Sequence, residues 1–167
     1  MRIKIVTTGG TIDKIYFDRK NEFQVGAPQI GEVLNEANVT LDYEVIQLFR
    51  KDSLDLTDAD RCLIYETILS DLGRHFVVTH GTDTMLVTAK VLKKINDKII
   101  VLTGAMQPAK FRQTDAVFNI ATAITAVQLL RPGVYVAMNG RIFDPTKIRK
   151  NIEQNCFEPI AYTSGQL

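Results

Sequence analysis

The sequence predicts an α/β fold in which helices cover both faces of a mostly parallel sheet. Apolar runs rich in Val and Ile alternate with stretches of helical periodicity along the whole chain, which is the pattern of such a sheet. The runs are short and apolar, as strands buried on both faces should be. With 167 residues and no recognisable linker, repeat or low-complexity run, the chain is expected to form a single domain, residues 1–167.

Five strands and four helices follow from this pattern. The predicted strands are Lys4–Thr8, Tyr43–Leu48, Phe76–Thr79, Ile99–Thr103 and Val134–Met138. The predicted helices are Ile30–Glu36, Asp58–Leu72, Thr84–Ile95 and Ala116–Leu130. The second helix has the clearest limits, because Thr57 is a favourable N-cap, Asp60 lies in the first turn and Gly73 marks the end.

One connection is longer than the fold requires. The link from Ile12 to Gln29 joins a strand to a helix, and its middle, Asp18–Glu22, is charged. A long loop beside a ligand site often acts as a lid. The alternative is a solvated surface excursion such as a hairpin, and the pattern leaves both open.

The last predicted helix, Ala116–Leu130, is apolar around nearly its whole circumference. A helix of this kind is buried on more than one side. In one small domain, a helix that covers a sheet should keep one face in water, so the expected cover is another subunit. The alternative cover is the C-terminal segment of the same chain.

Composition excludes several classes of function. The formal net charge is +1, so no bulk electrostatic field points to nucleic acid or to a membrane surface. No run approaches the roughly 18 apolar residues of a membrane span, and the N-terminal apolar stretch is too short for a signal peptide. The two cysteines, Cys62 and Cys156, lack CxxC spacing, which disfavours a disulfide framework or a Cys-based metal site. A soluble cytoplasmic protein is the default expectation.

Two turns that contain glycine and threonine follow predicted strands. They are T-T-G-G-T-I (residues 7–12) and T-H-G-T-D-T (residues 79–84). Because the carboxyl ends of parallel strands line the ligand crevice of an open α/β sheet, two threonines can meet in one pocket. The first turn lacks the glycine spacings of dinucleotide and P-loop sites. The pattern therefore suggests nucleophilic chemistry on a small polar substrate, with a purely structural turn as the alternative for the first motif and helix capping by Asp83 or Thr84 for the second.

A threonine hydroxyl is a poor nucleophile until a base takes its proton. His80 has no obvious Ser/His/Asp partner set and is more typical of a structural hydrogen-bonding residue. A lysine oriented by a carboxylate is the other plausible base. The candidates cluster in K-I-R-K (residues 147–150), where a solvated surface charge is the alternative for each of them.

Five segments, in this order, carry a resemblance to a known family. They are T-T-G-G-T-I-D-K (7–14), D-S-L-D-L-T (52–57), T-H-G-T-D-T-M (79–85), T-G-A-M-Q-P (103–108) and V-A-M-N-G-R-I-F-D (136–144). Together they resemble the bacterial-type L-asparaginase/glutaminase family over nearly the whole chain. The first and third look like the two signature motifs, the second like the substrate-serine loop, and the last like the stretch that leads to a catalytic lysine.

The resemblance implies two groups of catalytic side chains. Thr11 would be the primary nucleophile, and Tyr16 in the following loop would cover and orient it. Thr82, Asp83 and Lys150 would form a second group that combines a threonine, a carboxylate and a lysine.

The resemblance also implies how a substrate would be held. Ser53 and Asp83 would bind its α-carboxylate and α-amino groups, and the backbone N–H groups of Gly10 and Thr82 would stabilise an oxyanion. The implied substrate-binding residues are Gly10, Asp52, Ser53 and Ala105.

From the resemblance we expect a flavodoxin-like, doubly wound α/β domain that hydrolyses L-asparagine to L-aspartate and ammonia without a metal or an organic cofactor. Thr11 would form an acyl-enzyme, and direct attack by a water positioned by Thr82 and Lys150 is the mechanistic alternative. Ungapped counting selects Lys150, with Lys147 as the alternative if the loop shifts.

Family members typically continue into a second, smaller domain, and this chain looks like a short form without it. We expect a homo-oligomer, a dimer or a tetramer, whose partner is a small-molecule substrate rather than nucleic acid or membrane. Two other functions stay open: an ammonia-supplying subunit of an amidotransferase, and a non-catalytic module that binds an amino acid.

Overall fold

The protein is described by a computed structural model that covers residues 1–17 and 22–160. Its strands are β1 (Arg2–Gly9), β2 (Lys14–Phe17), β3 (Glu22–Val25), β4 (Asp42–Lys51), β5 (His75–Thr79), β6 (Ile99–Thr103), β7 (Gly133–Met138), β8 (Arg141–Phe143), β9 (Ile148–Asn151) and β10 (Cys156–Pro159). Its helices are α1 (Ile30–Glu36), α2 (Asp58–Ser70), α3 (Met85–Leu92) and α4 (Ala116–Leu129).

A six-stranded sheet in the order β4-β1-β5-β6-β7-β8 forms the centre of the fold. The first five strands run parallel, and β8 pairs antiparallel with β7. The five parallel strands are the five predicted from the sequence, so the predicted fold class is confirmed. The strand order reverses at β1, which has β4 on one side and β5 on the other. In open α/β sheets, ligands bind outside the carboxyl ends of the strands at such a reversal.

The sheet is buried on both faces. On β5, Phe76 and Val78 contribute to the core beneath α2 and α3, whereas Val77 points to the opposite face beneath α1 and α4. Because successive side chains of such a strand are buried on opposite faces of the sheet, the strand sequences are continuously apolar. The helices supply the facing side chains, among them Ile64, Ile68 and Leu92 on one face and Leu34, Ile120 and Ala123 on the other.

The predicted start of α2 is confirmed, whereas its predicted end is wrong. Thr57 and Asp60 form a capping box, in which each side chain accepts the backbone N–H of the other residue. The helix ends at Ser70 rather than Leu72. Asp71 adopts an extended conformation, and its carboxylate accepts the N–H of Gly73 at 2.6 Å and pairs with Lys4.

Two small antiparallel hairpins, β2–β3 and β9–β10, lie outside the central sheet, and the second was missed by the sequence analysis. The first lies within the long link from Ile12 to Gln29, so part of that link is the hairpin considered above as the alternative to a lid. Residues 18–21, most of the charged middle of the link, lie outside the described residues.

Helix α4 buries one side against the sheet and leaves an apolar side open. Ile120, Ala123 and Val127 are buried, whereas Phe118 and Leu129 are 63% and 78% exposed. The helix contains no charged residue. Apolar grooves of about 460 and 350 Å³ flank it on its two sides. Of the C-terminal segment, our alternative cover, residues 161–167 lie outside the described residues.

Within residues 1–17 and 22–160, no helix has the length and apolar character needed to cross a membrane.

Candidate active site

The two glycine turns predicted from the sequence pack directly against each other. A Cβ atom on Gly10 would lie 2.5 Å from both the N and the Cα of Gly81. Gly10 also has φ +91°, a conformation that favours glycine. The Thr8 hydroxyl donates to the carbonyl oxygen of Thr79 at 2.9 Å and joins the strand ends that precede the turns. Thr11 and Thr82 therefore lie on neighbouring turns at the carboxyl edge of the sheet.

The loop that contains Ser53 forms the third part of this arrangement. A Cβ atom on Gly81 would lie 2.6 Å from the Cβ and 2.7 Å from the Oγ of Ser53. The Thr84 hydroxyl donates to the carbonyl oxygen of Ser53 at 2.7 Å. Three loops thus meet at one point, and the absence of a side chain at Gly81 allows their approach.

The Ser53 hydroxyl is buried and has no hydrogen-bond partner among the described residues. Buried hydroxyls are normally paired, so an unpaired one requires an explanation. The hydroxyls of Thr7 and Thr79 are also buried and lack a partner within the same described part of the chain, but they lie within strands β1 and β5. Ser53 lies beyond the strand ends, where a ligand could complete its hydrogen bonding.

Lys150 reaches the second turn from strand β9. Its Nζ lies 2.8 Å from Thr82 Oγ1 and 2.6 Å from Asp83 Oδ1. Lys147, the alternative if the loop shifts, is exposed to solvent. The structure therefore brings together the threonine, carboxylate and lysine that were predicted as a group, at distances that permit proton transfer between Thr82 and Lys150.

Neither of the two residues considered for helix capping caps α3. Thr84 immediately precedes the helix but makes no side-chain cap, because its hydroxyl bonds to Ser53. The Asp83 carboxylate accepts from Lys150. The polar residues of this turn are thus directed toward other loops.

His80 is structural. Its Nδ1 lies 2.7 Å from the carbonyl oxygen of Gly81 and its Nε2 lies 2.8 Å from Thr88 Oγ1. Because a carbonyl only accepts, we assign the hydrogen to Nδ1, and Nε2 then accepts from Thr88. Burial lowers the pKa of His80 to about 4, so the ring is neutral near pH 7. Its contacts hold the Gly81 turn and leave no ring nitrogen to accept a proton from Thr11 or Thr82.

A cavity of about 250 Å³ opens beside Thr11. Phe23, on strand β3, forms part of its wall and packs edge-on against Phe111 with ring centroids 5.7 Å apart. Tyr16 joins this group through Phe23, at a centroid distance of 5.5 Å. The residues that line the cavity are Thr11, Lys14, Phe23, Gln107, Pro108 and Phe111. Phe23 and Phe111 were missed by the sequence analysis, since single aromatic residues in loops carry no periodic signal.

The hairpin β2–β3 is fixed at its base. The N–H of Gly26 donates to the Asp13 carbonyl at 2.8 Å, and the N–H of Gln29 donates to the Asp13 carboxylate at 2.9 Å. Burial raises the pKa of Asp13 to about 6, against the opposing effect of the Gln29 bond. These bonds hold the two ends of the link together, and they fix the base of the hairpin that carries Phe23.

Asp52 and Ala105 border the site in different ways. The Asp52 carboxylate pairs with Lys14 at 3.0 Å and accepts the N–H of Leu54 at 3.2 Å. Burial acts to raise the pKa of Asp52, but the bonds to Lys14 and the backbone outweigh it and lower the pKa. Ala105 is buried just after β6. The next N–H group, that of Met106, donates to the Asp115 carboxylate at 3.0 Å, which fixes this segment.

Among the residues that the structure describes, no group of three or more His, Cys, Asp or Glu side chains is arranged to hold a metal ion.

The contact between the turns can be tested by stability. Gly10→Ala should lower the free energy of unfolding by at least about 2 kcal/mol, because the new Cβ meets the Gly81 backbone and the backbone conformation disfavours alanine. Gly31→Ala in α1 is the matched control, since its new Cβ meets nothing closer than 3.9 Å. The control should be neutral or stabilising by about 0.5–1 kcal/mol. Urea unfolding measures both, and equal stabilities for the two variants would contradict the close packing.

A family model described as Asparaginase, N-terminal, matches residues 2–164. The L-asparaginase of Thermococcus kodakarensis is 28% identical over 97% of this chain and 52% of its own length. One of the glutamyl-tRNA(Gln) amidotransferase subunits of Methanococcus vannielii is 41% identical over 85% of this chain and 35% of its own length.

The fold agrees with these similarities. The solved structure of the thermostable L-asparaginase from Thermococcus kodakarensis superimposes with a TM-score of 0.83 at 27% identity, over 97% of this chain and 52% of that one. This chain spans about half the length of the L-asparaginases it matches. The family model covers nearly all of the chain, and on that basis the protein belongs to the asparaginase family.

Proposed function

We propose that this protein is an amidohydrolase that converts L-asparagine to L-aspartate and ammonia. The observation that carries the proposal is the contact of Lys150 Nζ with Thr82 Oγ1 and Asp83 Oδ1, at 2.8 and 2.6 Å, on the turn that packs against Gly10. A hydroxyl and an amine at this separation can exchange a proton, which hydrolysis of an amide requires. The family supports the reaction class, since relatives of this chain are L-asparaginases.

In the proposed reaction, the Thr11 hydroxyl attacks the side-chain amide carbon, and its proton passes through the Thr82 hydroxyl to the Lys150 amine. The amide oxygen gains negative charge and is stabilised by the N–H groups of Gly10 and Thr82. The carbon–nitrogen bond then breaks, and the leaving nitrogen takes up the proton to depart as ammonia. Water attacks the resulting ester, releases aspartate and restores the Thr11 hydroxyl. In the alternative route, Thr82 and Lys150 position a water that attacks the amide directly.

The substrate's α-groups are assigned to the second and third loops. The Asp83 carboxylate is half-exposed and can accept from an α-ammonium group. The buried Ser53 hydroxyl can donate to an α-carboxylate, which would supply the partner that it lacks among the described residues. Asp52 and Ala105 border this region. The ion pair of Asp52 with Lys14 joins the Ser53 loop to the wall of the cavity beside Thr11. Tyr16 and Phe23 would exclude water from the Thr11 side of the site.

A second candidate function is the supply of ammonia to a partner amidotransferase. The amidotransferase subunit from Methanococcus vannielii, at 41% identity, is more similar to this chain than the L-asparaginase at 28%, although it matches over less of the chain. Such a subunit would act in a complex with other proteins. Ammonia release from free asparagine by the isolated protein would favour the first function. The Lys150 contacts speak against a third possibility, a non-catalytic binding module.

We also propose a cytoplasmic location. Cys62 and Cys156 are both free, and Cys62 is exposed. Free thiols persist in reducing compartments, whereas secreted proteins tend to pair them.

We also propose that the open side of α4 is a contact between copies of the chain, giving a dimer or a tetramer. Phe118, Leu129 and the grooves beside α4 form an apolar surface, and a helix without charges can pack against its own copy without repulsion. Soluble monomers rarely expose a contiguous apolar patch larger than a few hundred Å².

Purified protein should release ammonia from L-asparagine at millimolar concentration, with or without a chelator. L-glutamine, tested in parallel, should react more slowly by roughly 10- to 100-fold in kcat/KM, because one methylene changes transition-state binding by about 1–3 kcal/mol.

Thr11→Ala should lower kcat at least about 10³-fold while circular dichroism stays native. Absence of ammonia from the wild type would contradict the amidohydrolase, and full activity of Thr11→Ala would reassign the nucleophile.

Lys150→Met should abolish most of the activity, because it removes the amine that lies within proton-transfer distance of Thr82. Lys147→Met is the matched control, since it removes the same charge from an exposed position three residues away. The control should retain wild-type kcat. Wild-type kcat in a folded Lys150→Met variant would show that the Lys150 contact does not carry the chemistry.

Sedimentation tests the contact through α4. The wild type should sediment as a dimer or a larger assembly at micromolar concentration. Leu129→Glu should shift it toward monomer without unfolding, since Leu129 is 78% exposed within one chain. Leu72→Glu, at a fully exposed leucine after α2, is the control and should leave the assembly intact. A folded wild-type monomer would rule out this interface.

A further inference from the structure

Lys150 reaches Thr82 from outside the central sheet. It lies on β9, which pairs with β10 in a separate two-stranded sheet. The hairpin is anchored by two apolar side chains in the core, Ile148 and Phe157. Apolar packing is not directional, so it does not by itself define the position of an amine at the end of a long side chain. The bonds of Nζ to Thr82 and Asp83 hold the amine, but the strand that carries Lys150 needs a directional contact of its own to the rest of the fold.

Asn139 supplies a directional contact between the sheet and the hairpin. It follows β7 and has φ +53°, a conformation that asparagine tolerates. Its side-chain Oδ1 accepts the backbone N–H of Phe157 at 2.9 Å. Phe157 is the residue directly opposite Lys150 in the antiparallel pair β9–β10. Opposite residues in such a pair lie about 4.5–5.5 Å apart at Cα, so the position of Phe157 constrains that of the Lys150 backbone.

The contact continues inward through a second asparagine. The backbone N–H of Asn139 donates to the side-chain oxygen of Asn119, a buried residue of α4, at 3.1 Å. The Asn119 amide nitrogen donates to the Gly104 carbonyl at 3.0 Å and to the Asp115 carboxylate at 2.9 Å. Asn119 is buried and its amide is fully paired, so it holds the Asn139 backbone in one position relative to α4, whereas the Asn139 side chain itself lies at the surface.

The inner end of this network also touches the turn that carries Thr82. A Cβ atom on Gly104 would lie 2.3 Å from the carbonyl oxygen of His80, so the two backbones are in direct contact. His80 in turn bonds to Gly81. One connected set of contacts therefore holds both partners of the bond between Lys150 and Thr82.

We propose that Asn139 is a positioning residue for Lys150, acting through its bond to the Phe157 N–H. The proposal deepens the proposed amidohydrolase function and rests on it for the catalytic readout. The Asn139 side chain bonds to the hairpin backbone rather than to Lys150 or Thr82, so its effect on turnover passes through the hairpin.

Two variants separate the side-chain bond from the backbone conformation. Asn139→Gly retains a left-handed turn but lacks the acceptor, and Asn139→Asp retains both. Asn139→Gly should lower kcat by about 10- to 100-fold with KM changed less than about 3-fold, the scale expected for a misplacement near 1 Å. Asn139→Asp should recover kcat to within about 5-fold of the wild type.

The double variant Asn139→Gly/Lys150→Met distinguishes positioning from general damage. If Asn139 acts through Lys150, the double variant should be as active as Lys150→Met alone. A further loss of about the size seen for Asn139→Gly alone would show an independent structural effect and overturn the proposal.

A readout that needs no activity completes the test. Labelling with trinitrobenzenesulfonate, quantified by peptide mass spectrometry, reports how accessible Lys150 is, with Lys147 as the internal reference. The Lys150 side chain is 18% exposed in its present position. Its labelling should accelerate at least about 5-fold in Asn139→Gly and stay near the wild-type rate in Asn139→Asp.

Unchanged labelling in a folded Asn139→Gly variant would overturn the proposal. Faster labelling of Lys150 in Asn139→Gly, together with no ammonia release by the wild type, would support the positioning role and reject the amidohydrolase. If Asn139→Gly does not fold, Asn139→Ser replaces it, because the shorter side chain keeps a polar group but does not reach the Phe157 N–H.

Discussion

The backbones of Gly10 and Gly81 approach so closely that a Cβ atom on Gly10 would lie 2.5 Å from the Gly81 backbone. This contact lies where the strand order reverses beside β1, the position at which open α/β sheets bind ligands. It brings the residues that follow the glycines, Thr11 and Thr82, to one edge of the sheet. The Ser53 loop then packs on Gly81, which completes a three-loop arrangement that no single motif defines.

The remaining parts of the candidate site come from outside the six-stranded sheet, and each has its own attachment. The hairpin β2–β3 supplies the aromatic wall beside Thr11 and is joined to the Ser53 loop by the ion pair of Lys14 with Asp52. The hairpin β9–β10 supplies Lys150 and is joined to β7 through Asn139. A rigid sheet with separately attached hairpins suits a site whose walls must admit a substrate and then exclude water.

The sequence predicted what depends on continuous periodicity. The five parallel strands were found because both faces are buried, and the start of α2 because the capping box at Thr57 is local. The hairpin β9–β10 was missed, and β2–β3 was considered only as the alternative to a lid, because four-residue strands lack a long apolar pattern. The walls of the site formed by Phe23 and Phe111, and the bond from Asn139 to Phe157, join residues distant in sequence, so only the folded chain shows them. The residues expected to act on the substrate came from motif resemblance, and their roles stay predictions.

A crystal structure with bound L-aspartate, the proposed product, tests the central claim most directly, because it shows whether the three loops form one substrate site. We predict that the side-chain carboxylate carbon lies about 3–3.5 Å from Thr11 Oγ. We also predict that the α-carboxylate accepts from Ser53 and that the α-ammonium group contacts Asp83, at ordinary hydrogen-bond distances of about 2.7–3.0 Å. Aspartate bound away from Thr11, or bound there with its α-groups facing neither Ser53 nor Asp83, would contradict the three-loop substrate site.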